Sequence, residues 1–280
     1  MSVVILGLLA SLGWGVADFG GGLSSRSAPV LGVLIWSQLA SLAIAVPILL
    51  AAGEPSMQPL DLTISIAGGV LGAGGLALLY RGLSVGRMGV VAPVAAVLTA
   101  TLPVAFGFAT EGVPSSIAIV GIGFAVISVT LVSRSPATAD GRPSGIWYAV
   151  AAGIAFGAFT ILASGLGEGL VISPVVVIRI ASILAIASFI VVRRAAWRVP
   201  RRLWPMLLAV GLIDMAATAA YLTAIAAGPL AIAAILASLY PVVTTVLAAI
   251  VLREHISRVH AVGIAVAGVA VVLIAGAPAA

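Results

Sequence analysis

Residues 133–144 read SRSPATADGRPS, a run whose only apolar side chains are alanine and proline. It falls near the middle of a 280-residue chain that is otherwise 62% hydrophobic and only 8% charged, with a mean hydropathy of +1.32. Ordinary soluble chains carry roughly 25% charged residues, so this composition cannot be wrapped into a water-soluble globule and reads as an integral membrane protein. The polar run is then a linker between two apolar halves.

A hydrocarbon core about 30 Å thick takes about 20 helical residues to cross. Charges, prolines and glycines punctuate the sequence into ten such spans, at 2–19, 30–52, 62–79, 90–108 and 115–132 before the linker, and 145–165, 173–192, 203–226, 230–252 and 257–276 after it. The runs are long and continuous, which predicts helices rather than the alternating ten-residue strands of a barrel. The expected fold is therefore an all-α membrane protein of two five-helix units, 1–133 and 145–280, joined by 134–144.

The halves match at an offset of about 142 residues. Trp14-Gly15 overlies Phe156-Gly157, Gly86 overlies Gly228, Gly121-Ile122 overlies Gly263-Ile264, and Glu111 falls within one residue of Glu254. Any two sets of Ala/Gly/Leu/Val helices align by composition, so the constancy of the offset carries the argument. An odd number of spans per unit makes the second copy enter the membrane from the opposite side, giving an inverted-topology repeat, the geometry that supports alternating access.

All thirteen cations are arginine, and the formal net charge is +5. Twelve of them fall in the odd-numbered loops, the even-numbered loops and tails hold none, and Arg179 lies inside a span. Basic residues near span ends stay cytoplasmic, which predicts odd loops inside and both termini outside a cytoplasmic membrane. Trp147, Tyr148, Trp197 and Trp204 sit beside span ends, where amphipathic rings anchor among headgroups. The scattered arginines make no nucleic-acid-binding face. Cysteine is absent, and the two histidines, His255 and His260, lie together near one loop, so neither a metal nor a redox cofactor is expected. The sequence holds no HExxH helix and no Gly-x-Ser-x-Gly elbow, which argues against an enzyme. The N-terminus lacks a basic n-region and a cleavage site, so the first apolar stretch is expected to remain as a span.

Ionisable groups within spans are expensive and mark a pathway or a site by default. Arg179 lies 14 residues before Arg193 and Asp214 lies 12 after Arg202, depths of ~21 Å and ~18 Å from one face at 1.5 Å per residue. Neighbouring antiparallel spans at matching depth let the two pair, either as a static bridge or as a cavity-facing cation tuned by an acid that carries a coupling proton. Asp18, beside the expected end of the first span and matched by Thr160 in the second half, reads as a span-end group. Trp14 and Phe156, at equivalent depths, offer rings to a shared cavity or to helix packing. Tyr80 and Tyr221 lie within one residue of equivalence, Tyr240 adds a third phenol, and each hydroxyl needs a partner. Pro93, Pro103 and Pro241 put helix-breaking residues in spans four and nine. The glycines of 68–75 and the Gly153/Gly157 pair read as helix contacts.

Together these features resemble the drug/metabolite transporter superfamily and, within it, the ten-helix EamA type. The residues that carry the likeness are Trp14-Gly15, the tract Gly86-Arg87-Met88-Gly89-Val90-Val91-Ala92-Pro93, and Pro174 with Arg179. In the second half they are Leu239-Tyr240-Pro241-Val242, Arg253-Glu254 and Gly263-Ile264. The resemblance implies two inverted five-helix bundles around a central cavity lined mainly by spans one, three, four, six, eight and nine. It also implies export of small metabolites, with amino acids prominent. One departure is the family's second-span arginine, absent from the first half, where Leu34 or Trp36 stands, so only Arg179 can inherit that role.

The expected function is thus a secondary transporter of small organic metabolites, an exporter of amino acids or related compounds, with Trp14, Tyr80, Phe156, Arg179, Asp214, Tyr221 and Tyr240 as substrate-binding residues. Its partners are a small-molecule substrate, the lipid bilayer and, as a coupling ion, protons. A membrane-embedded lipid-modifying enzyme and a non-transporting accessory subunit are the alternatives.

Overall fold

The computed structural model describes residues 2–85, 88–132, 145–251 and 258–275. These form α1 (Val3–Ser25), α2 (Val30–Ala52), α3 (Pro59–Val85), α4 (Met88–Thr110), α5 (Ser116–Val132), α6 (Ile146–Ala163), α7 (Ile172–Arg193), α8 (Trp204–Ala227), α9 (Leu230–Ala237), α10 (Tyr240–Val251) and α11 (Arg258–Ala275). A single 3-10 turn, Arg201–Leu203, leads into α8. Helices α9 and α10 are two pieces of one apolar stretch, so the described residues make ten spans and no strand. Five helices, α1, α2, α3, α7 and α8, are long and apolar enough by themselves to cross a bilayer, and the others are shorter apolar helices. The linker 134–144 lies outside the described residues, as do Gly86, Arg87, Glu254 and His255.

Two boundaries differ from the sequence expectation, for reasons that bear on function. Helix α1 continues six residues past Phe19, through Gly20-Gly21-Gly22. Three glycines read as a stop, yet they are a packing surface here: a Cβ on Gly21 would overlap the ring of Tyr80, and one on Gly20 would press into Val210. Asp18 is accordingly almost two turns inside the helix, not at its end. The ninth span breaks after Ala237. Pro241 has no N–H to give the Ala237 carbonyl, the Ser238 hydroxyl donates to the Ile235 carbonyl at 2.7 Å, and the chain passes through a turn before α10 begins at Tyr240. Helix α4 by contrast runs unbroken through Pro103.

Packing repeats when each span is exchanged for the one five places along. Span one packs on span eight (α1 on α8) and span six on span three (α6 on α3). Span four packs on span six (α4 on α6), and span nine on span one (α9 and α10 on α1). Span three packs on span seven and span eight on span two, while α2 with α7 and α5 with α11 map onto themselves. The two halves are therefore interleaved, with α5 and α11 paired at the periphery.

Glycine positions carry the same symmetry at the atomic level. A Cβ on Gly69 of α3 would lie 2.5 Å from the Ile178 carbonyl of α7, and one on Gly211 of α8, 142 positions later, would overlap the Ser37 carbonyl of α2. Gly15 approaches the Tyr240 carbonyl and Gly157 the Leu98 carbonyl, again at equivalent positions. In a bilayer, where lipid is as apolar as leucine, such small residues let helix backbones meet closely enough for packing to hold them.

Candidate functional site

Where the halves cross, the molecule encloses a cavity with about 810 Å³ of empty space, its mouth included. Its wall draws on spans one, two, three, four, six, seven, eight and nine, so spans two and seven join the six expected. Spans five and ten contribute no lining among the described residues.

Six of the seven expected site residues line this cavity: Trp14, Phe156, Arg179, Asp214, Tyr221 and Tyr240. Tyr80 stands behind the wall, fully buried, with its hydroxyl 3.5 Å from Asp18 Oδ1, and Asp18 lines the cavity. Trp14 and Tyr221 form a tilted ring pair with centroids 5.1 Å apart, an arrangement aromatic pairs favour. The phenolic oxygen of Tyr240 is buried without a hydrogen-bond partner among the described residues, while that of Tyr221 has the Thr160 hydroxyl beside it. A buried unsatisfied hydroxyl costs about 1–3 kcal/mol, so a wall carrying one is suited to water or a polar ligand rather than to close packing. The break between α9 and α10 places Ala234, Ala237 and Ser238 on the same wall, irregular backbone inside an apolar span that faces a cavity.

Arg179 is the fixed point of the polar wall. Only 4% exposed, it places Nη2 2.9 Å from Asp214 Oδ2, donates from Nη2 to the Thr218 hydroxyl at 2.9 Å, and from Nη1 to Gln38 Oε1 at 3.0 Å. One guanidinium on α7 thus ties α2 to α8. The pairing of Arg179 with Asp214 follows from their equal depth, as their distances from the flanking arginines predict. Gln38, itself 2% exposed, carries no charge and gave no signal in the sequence. Phe159 and Thr160 also line the cavity from α6, and Thr99 from α4.

On the face that holds the even-numbered loops, three carboxylates from the first half hold backbone of the second. Glu54 accepts from the N–H groups of Val171, Ile172 and Ser173 and from the Ser173 hydroxyl, at 3.3, 2.7, 2.8 and 2.7 Å, capping α7. Glu111 accepts from the Leu230 N–H at 2.8 Å, at the start of α9. Asp61 accepts from the Gly167 N–H at 2.9 Å in the loop between α6 and α7. An acid at a helix N-terminus satisfies orphan donors and meets the positive end of the dipole.

Burial pushes the Glu54 carboxyl up, but hydrogen bonds from Ile172, Ser173 and Val171 outweigh it and hold the group below its ordinary value of 4.5. A carboxyl depressed on folding contributes stability that is present above the ordinary value and lost as pH falls through the folded one. Amide hydrogen exchange at the start of α7 is therefore expected to accelerate only below pH 4.5. Glu54→Gln should reproduce that acceleration at neutral pH at a cost of about 1 kcal/mol, typical of a lost cap partly screened by water. Exchange in the variant as slow as in the wild type would show that the cap holds nothing.

Comparison with known proteins agrees with this architecture. Residues 143–276 match the EamA-like transporter family. The match covers the second half of the chain. A search of curated proteins finds no match. A crystal structure of another protein superposes with a TM-score of 0.77 at 16% identity, covering 98% of each chain, which establishes a shared fold across both halves. The chain is a multi-pass membrane protein, and the family its second half resembles is one of transporters.

Proposed function

We propose that this EamA-like chain is a secondary transporter that exports small organic metabolites, amino acids or related compounds, by alternating access. The observation that carries the reading is a cavity at the crossing of two halves whose packing repeats by exchange, walled by aromatic rings, an arginine and an unpartnered phenol. In this reading 1–133 and 145–280 are the two units that rock about the site. Trp14, Phe156, Tyr221 and Tyr240 receive the apolar part of the cargo, and Arg179 with Asp214 its polar end, while Tyr80 positions the wall from behind. The arginine-bearing odd loops lie on the cytoplasmic side and both termini outside.

Counterflow in proteoliposomes tests this. With unlabelled amino acids trapped inside, radiolabelled amino acid is expected to accumulate transiently above the level of protein-free liposomes. No counterflow across a panel of aliphatic, aromatic and cationic amino acids would contradict the reading.

A further inference from the structure

Assigning the charges of the cavity leaves one over. Arg179 is committed to Asp214, Thr218 and Gln38. Asp18 enters the same cavity from α1 and receives the Tyr80 hydroxyl at 3.5 Å, the long limit of a hydrogen bond. Among the described residues no cation pairs with it. Among the described residues the wall therefore holds two carboxylates and one guanidinium. An unpaired carboxylate in such a place is costly, and the site is relieved either by a proton or by an incoming cation.

The groups around Asp18 fix which cation suits it. Trp14 lies one turn earlier on the same helix face, in its tilted pair with Tyr221, and Tyr240 and Phe156 complete an aromatic wall that favours a positive charge held against ring faces. Helix α8, packed on α1, offers Asp214 and Tyr221, α10 offers Tyr240, and α3 offers Tyr80 with the exposed Arg81 beyond it and, at its N-terminal end, Asp61, held by the Gln58 and Gly167 N–H groups. Helices α2 and α9 have no titratable residue, and in α11 Arg258 and His260 lie in the first turn. Asp214 is neutralised by Arg179 on α7, and phenols do not titrate near neutrality. Asp18 is the group left to exchange charge.

We propose that Asp18 is the receptor for a protonated amine of the cargo, and that the amine and a proton occupy it in turn. This deepens, and rests on, the transporter reading. As the ammonium binds, the Asp18 carboxyl gives its proton to water in the cavity; when the amine leaves, a proton returns. One positive charge enters for each that leaves, the only bond exchanged is the O–H that passes between the carboxyl and water, and the membrane exchanges one monovalent amine for one proton.

The test uses the purified full chain in detergent with two probes of the same shape, 2-phenylethylamine and neutral 2-phenylethanol. Binding is followed by tryptophan fluorescence, and proton release by an indicator dye in weakly buffered solution. The amine is expected to bind about tenfold more tightly or better, as a desolvated ion pair reinforced by ring faces would give. About one proton should be released per amine bound and none with the alcohol. Asp18→Asn should abolish proton release and bring the amine down to the affinity of the alcohol, while Asp18→Glu keeps both properties. The wild-type comparison decides even if Asp18→Asn does not fold. Equal binding of the two probes without proton release, or undiminished release from Asp18→Asn, would overturn the inference and leave the transporter reading intact. Failure of both probes to bind would overturn the inference, while the transporter reading stands or falls by amino-acid counterflow.

Discussion

Gly72→Phe is expected to stop transport while leaving the protein folded. Gly72 lines the cavity from α3, and a Cβ built there meets nothing within 4 Å, so an added ring has open space to enter and no backbone to displace. Replacing glycine in a helix also removes its propensity penalty of about 1 kcal/mol. Transport needs that space. A ring that raises the barrier by little more than 1 kcal/mol already slows passage about tenfold, and occupation of the cavity should exceed that. Gly69→Phe, three residues earlier, is the control. Its side chain would meet the Ile178 carbonyl and Ala181 of α7, so it should lose the fold itself. Counterflow rate and thermal midpoint measured on both variants separate the two effects. Wild-type transport by a folded Gly72→Phe protein would place the path elsewhere.

Arg179→Gln is expected to destabilise the protein by about 3–5 kcal/mol, the range for breaking a buried ion pair from one side. The loss strands Asp214, whose side chain is 18% exposed, and also removes the link from Gln38 on α2 to Thr218 on α8. Asp214→Asn should cost less, because the guanidinium keeps its bonds to Gln38 and Thr218. Transport distinguishes a clamp from a substrate contact. Arg179→Gln supplied with a stabilising second-site change should still fail to carry amino acids if the guanidinium meets cargo. Recovery of the wild-type rate with recovered stability would leave Arg179 a purely structural bridge.

Much of this was legible in the residues because bilayers impose simple bookkeeping. Ten apolar runs of the required length, split by 133–144, gave the spans, and depth alone brought Arg179 to Asp214. The repeat was visible in Trp14-Gly15 over Phe156-Gly157, and the packing shows why: those glycines, with Gly69 and Gly211, sit at symmetry-equivalent helix crossings where only hydrogen fits. Other features lay beyond a linear reading. Gly20-Gly21-Gly22 looks like a terminator unless Tyr80 is known to pack against it, and misplacing that end hid Asp18. Gln38 is an uncharged amide among apolar neighbours, and its role exists only opposite Arg179. The carboxylate caps of Glu54 and Glu111 join loops more than a hundred residues from their partners, a distance no local pattern spans.

The chain contains no cysteine, so a single Gly72→Cys substitution reports on the cavity without background. Labelling it with a membrane-impermeant thiol reagent, in right-side-out and everted vesicles, measures directly whether the site is reached from both faces. The expected result is modification from each side, slowed by transported solute. Modification from one side only under every condition of pH and solute, or from neither, would contradict alternating access through this cavity.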